Sequence, residues 1–159
     1  MTNVEGVMEW TGGCLCGAVR YRTEAEPLWI AHCHCSMCRK ATGAAFGTYV
    51  GFPAGSVEWT EGEPTLYRSS SEVERGFCPK CGGTLSFHRV HETSIAVGSL
   101  DRPEDLDVGA PRSEYEDGHV WTESQLPWLR IDDDLVRFAQ FPTGRAEELA
   151  ALPHRDAAP

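Results

Sequence analysis

Apolar and polar positions alternate along much of this chain. Val19, Tyr21 and Thr23 interleave with Ala18, Arg20 and Arg22 after the Gly12-Gly13 pair, a turn followed by the period-two pattern of a strand with one buried face. "LWIAHCHC" (28–35) forms a second apolar run, and "AAFGTYVGF", "SVEWTEGEPTLYR", "EVERGFC", "TLSFH" and "TSIAVGSL" each read as strands of ordinary length. Turn signals such as Glu61-Gly62-Glu63-Pro64 separate them, as hairpins require. Helical signals are few. They comprise a turn or two over 36–42 stopped by Gly43, a short helix over 103–106, and the Ala-, Pro- and charge-rich tail from Arg145. The expected class is all-β with little helix, one domain over 1–140 and an extended or frayed tail over 141–159.

Composition narrows the function. A length of 159 residues with 41% hydrophobic content suits a single core. The N-terminus lacks a basic region followed by an apolar run, and no window approaches a membrane span, so a soluble cytoplasmic protein is expected. The net charge of −10 repels a nucleic-acid backbone, which disfavours direct DNA binding. Seven cysteines in a reducing compartment, an odd number in tight pairs, point to metal ligation rather than disulfides.

Those cysteines fall into three groups: Cys14 and Cys16 in "GGCLCG", Cys33, Cys35 and Cys38 in "CHCSMC", and Cys78 and Cys81 in "FCPKCGG". C-P-x-C-G is a zinc knuckle whose turn aims two sulfurs at one ion and whose backbone N–H groups donate to them. Cys14 and Cys16, two apart on a strand and so on one face, are its matching half. This partition closes one four-cysteine site and leaves Cys33, Cys35 and Cys38 with a fourth position for water or an incoming ligand. A competing partition completes the knuckle from the central three, and a competing reading closes the central site with His32 or His34 as a structural centre. On an extended segment, however, these histidines face away from the sulfurs, which makes His34 a packed or hydrogen-bonded neighbour.

The three motifs in this order, with "GHVWTESQLPWL" downstream, resemble the glutathione-dependent formaldehyde-activating enzyme family, whose relatives include centromere protein V, from about Thr11 to Phe138. The resemblance implies an Mss4-like β-tent of antiparallel sheets with two zinc ions per chain. It implies a structural zinc on Cys14, Cys16, Cys78 and Cys81 and an active-site zinc on Cys33, Cys35 and Cys38. The implied activity is that of a carbon–sulfur lyase joining formaldehyde and glutathione into S-hydroxymethylglutathione or releasing them.

The donor set argues in the same direction. Three thiolates on Zn2+ leave a net charge of about −1, a weak Lewis acid ill suited to ionising water but suited to a fourth sulfur. A substrate thiol held there becomes a nucleophilic thiolate that can add to an aldehyde. Arg39 and Lys40 are the candidate contacts for the carboxylates of an anionic thiol such as glutathione, and Gly43 for close approach of a ligand to the backbone. Gly43 also suits a helix C-cap, and Arg39 and Lys40 a solvated helix face. His119 is a candidate proton shuttle or a satisfied structural group, and Trp121 and Trp128 read as core. The alternative to an enzyme is a non-catalytic zinc-stabilised binding module.

Overall fold

The computed structural model describes residues 8–112 and 115–142. In chain order they form β1 (Trp10–Gly13), β2 (Arg20–Thr23), β3 (Trp29–Cys33), α1 (Ser36–Thr42), β4 (Gly47–Pro53), β5 (Glu58–Glu61), β6 (Thr65–Arg68), β7 (Glu74–Phe77), β8 (Thr84–His88), β9 (Glu92–Ala96), β10 (Gly118–Val120) and β11 (Val136–Arg137). Short 3-10 turns occupy Val97–Ser99, Pro103–Asp105 and Thr122–Ser124. The molecule is thus mostly β-sheet, with one α-helix among the described residues, as its alternation pattern requires. The tail expected to be extended or frayed lies, from residue 143 onward, outside the described residues. No helix of the described residues is long and apolar enough to cross a membrane.

Contacts gather the described residues into two compact units: one from residues 8–28 and Val50–Asp107, the other from Trp29–Tyr49 and the described residues between 108 and 142. In the first unit, β1, β2 and β5 form an antiparallel sheet with Trp10 opposite Thr23 and Tyr21 opposite Trp59. Val19, Tyr21 and Thr23 are buried as their alternation predicts. The Gly-Gly pair, expected as a turn, instead ends β1. Gly12 lies opposite Tyr21, whose hydroxyl pairs with Ser99 Oγ at 2.8 Å, and a Cβ on Gly12 would sit 2.2 Å from that hydroxyl. A second antiparallel run, β9-β8-β7-β6, buries Leu85 and Ile95 completely. The turn at 61–64 does not make the expected hairpin, because β5 pairs with β2 while β6 pairs with β7. Burying one side chain of the size of Leu85 or Ile95 contributes roughly 2–3 kcal/mol.

The second unit is built differently. β10 pairs with β3 and with β11, both parallel, setting Gly118 opposite Ala31 and His119 opposite His32. The other strand pairings described above are antiparallel, as expected. Trp29, Ile30, Ala31 and Val120 are buried, and the Phe141 ring meets the rings of Trp29 and Tyr115 edge-on at 5.9 and 5.6 Å. Asp117, fully buried, is held by the N–H groups of Ile30 at 2.7 Å and Gly109 at 3.0 Å and by the Arg112 guanidinium at 3.2 Å. Those partners satisfy the buried carboxyl and tie β3 to the segment that leads into β10. Trp128, expected in the core, is 68% exposed. It sits at the tip of a turn closed by Leu129 N–H to the Leu126 carbonyl, where side chains project outward.

Candidate metal centres

In the first unit, the ligand atoms of Cys14, Cys16, Cys78 and Cys81 lie within 4.8 Å of one another. Cys14 and Cys16 are in the β1–β2 turn, not on a strand as expected. Gly17 N–H bonds the Cys14 carbonyl and Cys14 N–H the Val19 carbonyl, each at 3.0 Å, so the turn rather than strand alternation brings the two sulfurs to one side. Across the knuckle, Gly82 N–H closes onto the Cys78 carbonyl at 2.8 Å. Sulfur separations of 3.6 Å (Cys14 to Cys16) and 3.8 Å (Cys16 to Cys78) match the edge of a tetrahedron with 2.3 Å metal–sulfur bonds, about 3.8 Å.

Backbone donors already point at the sulfurs: Val19 N–H to Cys14 at 3.3 Å and Lys80 N–H to Cys78 at 3.4 Å. Burial raises the Cys14 thiol, but the Val19 N–H and the neighbouring thiols outweigh it and bring its pKa down to about 6. Cys16 moves the other way, to about 11; the Ala18 N–H lowers it, while burial and the three other cysteines together raise it. Four sulfurs this close resist common ionisation, and a divalent cation removes the conflict. The donor set therefore fits a thiolate-loving ion such as zinc.

The second cluster forms where β3 passes into α1. Cys33 is the last residue of β3, and Cys35 is the N-cap of α1, its Sγ accepting the Cys38 N–H at 3.3 Å. A thiol thus takes the place usually held by a Ser or Asp oxygen, and the helix start puts Cys35 and Cys38 on one side three residues apart. Gly43 ends the helix as its spacing predicted, with φ +69° and its N–H on the Arg39 carbonyl at 2.8 Å. The three thiols lie within 4.8 Å of one another and all are buried. Contact with Cys35 and Cys38, then burial, pushes the Cys33 thiol well above its ordinary range, so this trio too is unfavourable as free thiolates and fits a cation.

His34, between two of these cysteines, is fully buried and turned away from them, as expected of an extended segment. Its Nε2 is 2.9 Å from Nδ1 of His119, whose own Nε2 donates to Asp133 Oδ2 at 2.9 Å. Burial, then the nearby His119 and His32 rings, lowers the His34 pKa to about 4. His119 is therefore a satisfied buried group joined to this network. His32 Nδ1 pairs with Thr48 Oγ1 at 2.8 Å, and its ring lies 4.8 Å from that of His119. Burial lowers the His32 pKa.

Of the two cations, Arg39 is half-buried and donates to the carbonyls of His34 at 2.7 Å and Ser124 at 2.6 Å, while Lys40 is exposed. Trp121 is half-buried in the left-handed region, with φ +58°. Asp133 escaped sequence reasoning. Nothing distinguishes it from Asp132 and Asp134 beside it, since its partner His119 lies 14 residues away.

The family model for glutathione-dependent formaldehyde-activating enzymes matches residues 9–124. A Schizosaccharomyces pombe protein named an uncharacterized lyase is 37% identical over 79 residues, a match covering 50% of this chain and 57% of that relative. A Halomonas elongata protein, provisionally named a glutathione-dependent formaldehyde-activating enzyme, is 29% identical over 136 residues, 76% of this chain and 80% of its own. A solved Rhodobacter sphaeroides structural-genomics protein matches at 28% identity and a TM-score of 0.49, covering 61% of this chain and 94% of that one. With a match running from the β1 strand through both cysteine clusters to Ser124, the chain belongs to the glutathione-dependent formaldehyde-activating enzyme family.

Proposed function

We propose that this protein is a zinc-dependent carbon–sulfur lyase acting on the adduct of a small thiol and an aldehyde, of the S-hydroxymethylglutathione type. The observation that carries the reading is the buried Cys33, Cys35 and Cys38 trio in a chain of this family. Cys14, Cys16, Cys78 and Cys81 would hold a structural zinc, giving two ions per chain. Cys33, Cys35 and Cys38 would hold the second zinc, which would supply a soft, weakly acidic centre suited to a sulfur donor.

The chain's own residues do the rest. Cys33, Cys35 and Cys38 are fixed by the end of β3 and the first turn of α1, and Arg39 braces that corner through the His34 and Ser124 carbonyls. Lys40, exposed on the same helix, is the cation available to a substrate carboxylate, and Gly43 ends the helix without a side chain. In the synthetic direction the thiolate adds to the aldehyde carbon, a C–S bond forms, and the carbonyl oxygen takes up a proton. In the lytic direction the hydroxyl proton leaves, the C–S bond breaks, and thiolate and aldehyde separate. Seven cysteines, free of disulfides, suit a reducing cytoplasm.

Cobalt substitution tests the reading. Glutathione should intensify the sulfur-to-cobalt charge-transfer band while S-methylglutathione leaves it unchanged, and binding should strengthen as pH rises toward a thiol pKa of about 8.5. A spectrum indifferent to glutathione and to other small thiols, with no turnover of formaldehyde adducts, would leave a non-catalytic zinc-stabilised binding module in its place.

A further inference from the structure

We propose that His32, His119 and Asp133 form a third metal site, separate from both cysteine clusters, that takes a divalent first-row transition ion such as Fe2+, Co2+, Ni2+ or Zn2+. The proposal does not rest on the lyase reading. It begins with convergence: β3 and β10 run parallel with His32 opposite His119, and the segment before β11 brings in Asp133, so that one ligand atom from each lies within 4.8 Å of the others. The 2.9 Å between His119 Nε2 and Asp133 Oδ2 is close to the roughly 3 Å edge of an octahedron of donors bound at about 2.1 Å, so an octahedral ion can enter without moving the pair apart, while a tetrahedral one would spread it to about 3.4 Å.

A second observation concerns the atoms that would not bind the ion. Each candidate ligand has its remaining polar atom already held, which is the outer arrangement that orients metal ligands. Thr48 Oγ1 takes Nδ1 of His32 at 2.8 Å, leaving Nε2 as the donor. His34 Nε2 takes Nδ1 of His119 at 2.9 Å, leaving its Nε2 beside the carboxylate. Asp133 Oδ1 receives the Leu135 N–H at 3.2 Å and the Arg137 guanidinium at 3.3 Å, leaving Oδ2 for the ion. The strand register sets His32 beside His119 and the His119 hydrogen bond brings in Asp133, so the three donors meet without rearrangement of the fold.

Two imidazoles and one carboxylate favour borderline transition ions over Mg2+ or Ca2+, which prefer oxygen, and they lack the thiolates that draw zinc to the cysteine sites. Binding would also reverse a tautomer. With its Nε2–H directed at Asp133, a neutral His119 accepts from His34 Nε2–H; with an ion on Nε2, the His119 proton resides on Nδ1 and donates to His34 Nε2. The His34 proton then resides on Nδ1, an atom that is buried and has no partner among the described residues.

The experiment uses the full-length protein with its cysteine sites filled with zinc, titrated with Co2+ without oxygen. One further equivalent should bind, with d–d absorption and no new sulfur-to-cobalt band. Asp133→Asn and His32→Gln should each weaken that binding at least about tenfold, and Thr48→Val about tenfold, with far-UV circular dichroism unchanged. A readout free of variants is the imidazole 15N spectrum of the wild type with excess Zn2+, in which Nε2 of His32 and of His119 should shift and His34 should change tautomer. The proposal is overturned by no uptake beyond the cysteine sites, by a thiolate-type cobalt spectrum, by wild-type affinity in a folded Asp133→Asn, or by an unchanged 15N spectrum.

Discussion

Cys35 serves both the fold and the cluster, because its sulfur caps α1 and also faces Cys33 and Cys38. Serine separates the two roles, since its hydroxyl is a good helix cap but a poor partner for a soft ion. Cys35→Ser should therefore keep the far-UV circular dichroism of the wild type while elemental analysis finds one fewer zinc per chain. Cys78 contrasts with it: it is fully buried in the cluster that links the β1–β2 turn to the β7–β8 segment. Cys78→Ser should unfold the protein or make it insoluble, because binding energy at a closed site is folding energy. Equal collapse of both variants would remove the distinction between a structural and a functional site. Asp117 is legible only in three dimensions. Its replacement by Ala removes the carboxylate that accepts from the buried Ile30 and Gly109 N–H groups and from the Arg112 guanidinium, and should lower stability by about 3–5 kcal/mol in urea unfolding.

Among the elements, α1 was legible from a local signal, the Gly43 that stops it in the left-handed region, whereas the Cys35 cap at its start emerged only with the structure. Gly43→Ala should cost about 1 kcal/mol, from backbone strain alone, since nothing lies within 4 Å of the added methyl group. Gly12→Ala should cost more, roughly 1–3 kcal/mol, because its methyl group would meet the Tyr21 hydroxyl and the Ser99 carbonyl. A comparison of urea midpoints ranks the two, and an equal loss would mean that β1 can shift away from Tyr21. The strand β2 was legible from alternation and β7 and β8 as runs of ordinary strand length, whereas β10 and β11 were not. Three and two residues long, they are held by parallel pairing to chain far away, and a span that short carries no period. The pairing of β5 with β2 rather than with β6 was hidden for a related reason, since a turn signal marks a reversal and not the partner.

Across the whole molecule, acid stability has a definite sign. Burial lowers the pKa values of His32, His34 and His88, so the unfolded chain takes up their protons first as pH falls. Their contribution to stability is complete above the unfolded value of 6.5 and is lost on acidification, for His34 down to about pH 4. His88, paired with Ser86 at 2.8 Å, lies apart from the cysteine clusters and can be tested without disturbing them. The wild-type urea midpoint should fall between pH 7 and pH 5, and His88→Gln should fall less steeply. Parallel profiles for the two proteins would show that His88 titrates in the folded state as it does in the unfolded one.

The sequence by itself determined the β class and the bounds of α1, and favoured the division of seven cysteines into two candidate metal groups of four and three that the structure brings together. Those features follow from short-range rules: side-chain period, cap chemistry, and the reach of thiols two or three residues apart. Only the tertiary structure decided that His34 meets His119, 85 residues away, that Asp133 and not its acidic neighbours completes that line, and that Arg39 bonds backbone carbonyls. It also carried Trp128 out of the core and set β10 parallel to β3. Such contacts depend on which distant segments pack together, a choice made by the burial of Trp29, Ile30 and Val120 and by the partners of Asp117, and not by any local pattern of residues.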